Sequence, residues 1–146
     1  MTAVHIALGT ALIAINAVAG ALGGVQWWRN RTSRIFWPLL RTGQALVAIE
    51  ALDGAVLVLQ GKSLPQLHLI YGLVPLAVSF VAEQLRLVAA DQILENRDLD
   101  GRADVERLSE DEQAELVHAI LRREMGVMAA SAGVVALLGV RAAGLL

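Results

Sequence analysis

The chain has 146 residues, is 56% hydrophobic and carries a net charge of only −2. Its mean hydropathy of +0.58 is high for a soluble domain, and no nucleic-acid partner is expected of so balanced a charge. Cysteine is absent, which excludes disulfides, thiolate metal sites, cysteine nucleophiles and c-type haem attachment.

Most charges lie between Arg86 and Glu124. Long apolar runs therefore alternate with one concentrated polar segment, the layout of an integral membrane protein. The first run extends from about residue 3 to 26, close to the ~20 residues a membrane helix requires. Nothing basic precedes Arg29, so this run reads as a retained membrane helix and not as a signal peptide. It ends at Trp27 and Trp28, followed by Arg29, Arg31 and Arg34. Aromatic residues at headgroup level followed by arginines mark a cytoplasmic boundary, which places the amino terminus outside. His5, Gly9, Asn16, Gly20 and Gly23 or Gly24 share one face, small and polar enough for a neighbouring helix to approach closely.

A second helix is predicted from about residue 35 to 59, with Trp37 and Pro38 in its first turns, where proline is tolerated. It carries Arg41, Gln44, Glu50 and Asp53, with Glu50 near mid-membrane and Asp53 about one turn further out. The turn at 61–66 contains Gly61, Pro65 and a single Lys62, against Arg29, Arg31 and Arg34 in the opposite loop.

The third helix, predicted at about 66–90, has one thin polar stripe: His68, Gly72, Pro75, Ser79, Glu83 and Arg86. A cytoplasmic polar segment follows at about 91–115, read as loop as far as Leu108. Ser109 and Glu112 then form a capping-box pattern that starts a last helix at about 110–143. Its membrane part is rich in Gly, Ala and Ser, which suits an interior helix packed tightly on its neighbours. The first and third helices both begin His-x-x-x-Gly, at His5–Gly9 and His68–Gly72, as a two-plus-two parallel repeat would.

These elements predict an all-α, polytopic membrane protein: a four-transmembrane-helix bundle forming a single domain over 1–146, in the plasma (inner) membrane, with both termini outside. Over nearly its whole length, and most clearly in HLIYGL and VAEQLRLVAA, the chain resembles the Ala/Val/Leu/Arg-rich tetraspan proteins of unknown function found in actinobacteria. That resemblance implies the fold and no mechanism. The run GTALIAINAVAGALGG is similar to part of the fluoride-channel family, but that family's Thr-Thr-Phe-Ser pattern is missing. Small multidrug exporters carry their membrane glutamate in the first helix, where this chain has none.

Three sets of residues carry chemistry. His5 and His68 fall at similar depth near the outer face, where two imidazoles could ligate a b-type haem axially or bind a metal ion. Gly9 and Gly72, one turn below, would leave room for a porphyrin edge. Equally, a histidine near a headgroup boundary needs no ligand. Glu50 and Asp53 are carboxylates in an apolar helix, at a cost of roughly 2.5–3.5 kcal/mol each near the bilayer centre. They read as a proton or cation site, as support for His68, or as inter-helix hydrogen bonding with Asn16, Ser79 or Tyr71 as partners. Arg41, Glu83 and Arg86 read as structural ion pairs between helices. Three functions follow. One is a non-enzymatic subunit or assembly partner of a membrane system, as a homo-oligomer or with another membrane protein. The others are a haem or metal-binding electron-transfer protein and a small proton- or cation-coupled carrier. No Walker loop, dinucleotide fingerprint, zinc-protease helix or nucleophile elbow is present.

Overall fold

A computed structural model describes residues 3–63 and 65–145. Among them the elements are α1 (Ala3–Trp28), α2 (Phe36–Leu59), α3 (Gln66–Glu95), α4 (Arg102–Arg107) and α5 (Glu110–Ala142). The fold is all-helical, and α1, α2, α3 and α5 are each long and apolar enough to cross a membrane. Leu64, in the predicted turn between α2 and α3, lies outside the described residues.

Two boundaries differ from the sequence reading. The third helix continues to Glu95, five residues into the polar segment, and a short helix, α4, forms where loop was expected. Polarity marks where a helix leaves apolar surroundings, not where its hydrogen-bond ladder stops. The ladder of α3 ends only at Asn96–Asp98, where Asp98 takes a positive φ of 54°, a conformation Asp tolerates better than most residues. At about 1.5 Å per residue, the 33 residues of α5 span roughly 50 Å, well beyond a hydrocarbon core of about 30 Å. Beside its first turns, just past the end of α3, Arg97 pairs with Glu115 at 3.1 Å.

Around the bundle the order is α2–α1–α5–α3. α5 packs along both α1 and α3, and α1 along α2, while α2 and α3 meet only sparsely. The predicted interior role of the last helix holds: Met125, Met128, Ala129, Ala132, Val135 and Ala136 of α5 are all buried. Close approach explains its small residues. A Cβ added at Gly20 of α1 would stand 2.9 Å from the Gly133 amide nitrogen of α5, so the two backbones touch where any larger side chain would hold them apart.

The buried stripe of α1 is His5, Leu12, Asn16, Ala19 and Gly23. Asn16, in its middle, donates to the Leu12 carbonyl at 2.9 Å. The same amide lies against α2, where a Cβ at Gly43 would meet its Oδ1 at 2.8 Å. The main core lies toward the Trp27 end: Phe36, Met125 and Met128 are fully buried, with Leu40, Ala82 and Ala132 around them. A smaller cluster of Leu12, Val47 and Val135 lies toward the His5 end. Beyond it the core is replaced by polar groups and open space.

Candidate functional site

The polar groups at the His5 end come from three helices. His5 is near the start of α1, Glu50 and Asp53 are in the second half of α2, and His68 is near the start of α3. Glu50 lies nine residues before the end of α2, or about 14 Å along its axis. It nevertheless meets His5, because α1 begins level with this part of α2. His5 Nδ1 is 3.0 Å from Asp53 Oδ2 and 3.1 Å from Glu50 Oε1. The carboxylates, which the sequence reading linked to a histidine only as support for His68, thus form one cluster with His5.

The i,i+3 spacing of Glu50 and Asp53 brings both carboxylates to the same face of α2. Gly9 makes room for one of them: a Cβ there would stand 3.2 Å from Glu50 Oε1. The expected partners of Glu50, namely Asn16, Ser79 and Tyr71, are not those it makes; His5 takes that place. His68 lies beside the cluster, its ring centroid 5.8 Å from that of His5 and the planes inclined at 59°. Its Nδ1 is 3.1 Å from the Ala142 carbonyl oxygen. A carbonyl only accepts, so Nδ1 carries the hydrogen, and in the neutral ring Nε2 holds the lone pair.

Hydrogen bonding in the cluster is short by one donor. Nδ1 of His5 carries at most one hydrogen yet faces two carboxylates, and Glu50 Oε2 is buried with no hydrogen-bond partner among the described residues. With His5 protonated and His68 neutral, two ionised carboxylates leave one negative charge in excess among these four groups, an expensive state away from water. A proton or a cation would remove the imbalance. One donor atom each from His5, Glu50 and Asp53 lies within 4.8 Å of the others. Around a first-row metal ion at about 2.1 Å, neighbouring donors stand about 3.0 Å apart in an octahedron and about 3.4 Å in a tetrahedron. The 3.0 and 3.1 Å separations match the shorter of these edges.

At the other end, Arg41, Glu83 and Arg86 come together. Arg41 donates to Glu83 and, at 2.7 Å, to Gln44 Oε1, while Gln44 Nε2 donates to Glu83 at 2.8 Å. Arg86 donates through Nε to Glu83 at 3.2 Å and through Nη1 to Glu124 at 3.4 Å, and its guanidinium lies 5.9 Å from the centre of the Trp37 ring. Glu124 was not singled out from sequence. Its signal was available: it directly follows Arg122-Arg123, where α5 turns from charged to apolar, level with Arg86 on the antiparallel α3. Nearby, Arg122 donates to the Trp27 carbonyl at 3.3 Å and lies over its ring.

Compared with protein families, curated proteins and solved structures, the chain has no match. Its functional reading therefore rests on geometry.

Proposed function

We propose that this is a non-enzymatic, multi-pass plasma-membrane protein that binds a divalent first-row metal ion near its outer face, through His5, Glu50 and Asp53. The observation that carries the reading is the unsatisfied cluster: one imidazole nitrogen at coordination-edge distance from two carboxylates, with a buried, donorless oxygen on Glu50. A dipositive ion would neutralise both carboxylates and replace the missing donor. Mixed imidazole and carboxylate ligands suit Zn²⁺, Mn²⁺ or Fe²⁺, and the His68 ring stands beside the set, 5.8 Å from that of His5.

The assignment of sides rests on charge. Arg29, Arg31 and Arg34 follow the Trp27 end of α1, and only Lys62 lies in the α2–α3 turn, so the positive-inside rule puts the His5 end outside. The inner half is sealed by packed Phe36, Met125 and Met128. An ion reaching the cluster from outside therefore has no continuing path, and binding is favoured over passage.

The test is Co²⁺ titration of the detergent-purified protein, followed by absorption in the visible region, with Zn²⁺ as competitor. One ion per chain is expected, with affinity reduced at least tenfold in Glu50→Gln and Asp53→Asn. No binding, or equal binding by both variants, would sink the proposal. A Soret band lost in His5→Ala and His68→Ala would instead assign the same imidazoles to haem.

A further inference from the structure

Two cavities meet at the histidine pair. The larger, of about 890 Å³, lies between α2 and α3 where those helices fail to close, with α1 and α5 as its floor. Its lining is mostly apolar, with Ile13, Val47, Val58 and Leu73 among the walls and Glu50 as its one acidic side chain among the described residues. The second, of about 550 Å³, lies at the end of the bundle and is lined by Lys62, Ser63 and Arg141 together with His68 and Tyr71. His5, His68, Tyr71, Ala142 and Ala143 belong to both, so the two adjoin at these residues. No acidic side chain lines the end cavity among the described residues. Lys62 is exposed, and the Arg141 guanidinium lies 5.7 Å from the centre of the Tyr71 ring.

We propose that the adjoining cavities bind a single-chain amphiphile with an anionic head: the head among Lys62, Ser63 and Arg141, the tail between α2 and α3. Polarity along the site runs in the sense a bilayer requires, basic at the helix ends and apolar toward the middle. The volume of the apolar part falls within the range of small-molecule pockets, roughly 300–1,000 Å³, which suits one chain. An open wall toward lipid lets a chain slide in sideways without exposing it to water. The inference rests on the membrane placement proposed above, but not on the metal.

Two glycines make the site testable without disturbing the fold. A Cβ at Gly54 or at Gly72, both lining the cavity, would meet no atom within 4 Å. Leucines at these positions can occupy the tail's space and leave the helix contacts intact. The experiment is electron paramagnetic resonance of 16-doxylstearate with the full chain in phosphatidylcholine nanodiscs, with Co²⁺ binding measured on the same samples. The wild type should immobilise about one stearate per chain. Affinity should fall about tenfold or more in Gly54→Leu/Gly72→Leu, as expected when a few methylenes lose their apolar contacts. It should fall several-fold in Lys62→Gln. Equal immobilisation of spin-labelled phosphatidylcholine, displacement by inorganic phosphate alone, or stearate binding indifferent to the paired leucines would each overturn the proposal. Loss of stearate binding with Co²⁺ binding intact separates its failure from that of the metal site. A chain that does not insert into nanodiscs would overturn the membrane placement itself.

Discussion

At the Trp27 end, Glu83 accepts from Arg41, Gln44 and Arg86, and Arg86 also reaches Glu124. At the His5 end, one imidazole nitrogen stands between two carboxylates, and Glu50 Oε2 has no donor among the described residues. Both clusters join α2 to another helix, but they differ in balance. Two guanidinium groups face two carboxylates in the first, and α2 and α3 are tied together there. One imidazole faces two carboxylates in the second, and α2 and α3 are parted by a cavity. Where donors and acceptors match in number, polar groups can lock helices. Where they do not, the surplus is available to a ligand.

The largest expected effect tests the tightness of packing. Gly20→Leu would drive a side chain into the Gly133 backbone and should cost about 3 kcal/mol, the upper end of ordinary overpacking penalties. Gly72→Leu, with open space around it, should change stability by less than about 0.5 kcal/mol. Unfolding of the two variants in mild detergent measures the difference, and equal losses would break the contrast. Next comes ligand-linked stability: Zn²⁺ at about 100 times its dissociation constant should stabilise the wild type by about 2.7 kcal/mol. Glu50→Gln and Asp53→Asn should lose most of that gain. Their stability without metal should change little or rise, because each removes a surplus charge.

Glu83→Gln should behave in the opposite way. It leaves Arg41 and Arg86 facing a neutral amide, and the loss of charge-assisted hydrogen bonds should cost about 2 kcal/mol. Added Zn²⁺ should stabilise this variant as much as it does the wild type. If metal-dependent stabilisation disappeared in Glu83→Gln, the two ends would not be separable.

The four long helices were legible because apolar run length and flanking charge are local properties. The Arg41–Glu83–Arg86 grouping was legible for a related reason: charges in apolar helices at equal distance from the same boundary seek one another. The His5 cluster was legible only in pieces. Depth was counted along each helix from its own end, which put His5 near the surface and Glu50 near the middle. That count fails because α2 runs past the start of α1, an offset fixed by tertiary packing. The cavity was also hidden, since no local pattern states that α2 and α3 fail to close. Gly72 hinted at space there, and Gly9, with the same motif around it, turned out to be filled by Glu50.

The smallest expected effect lies outside both clusters, at the start of α5. Ser109 Oγ accepts from the Glu112 amide at 3.4 Å, and the Glu112 carboxylate accepts from the Ser109 hydroxyl at 2.7 Å and amide at 2.8 Å. The hydroxyl bond first, and the amide bond second, hold the Glu112 carboxyl below the ordinary glutamate value of 4.5. A carboxyl with a lowered pKa in the folded helix stabilises it above the unfolded value, and the contribution is lost as pH falls through the folded one. Between about pH 5.5 and 3, the protection of amides in the first turn of α5, taken against the intrinsic exchange rate at each pH, should therefore fall several-fold. Ser109→Ala should show the reduced protection already at neutral pH, with a weaker response to acid. Because α5 runs unbroken from this cap to Arg141, the variant also tests how far a local opening travels. At pH 7 its Co²⁺ affinity should equal that of the wild type. A changed affinity would mean that fraying at one end of α5 reaches the His5 cluster at the other, and the two halves would have to be treated as one cooperative unit.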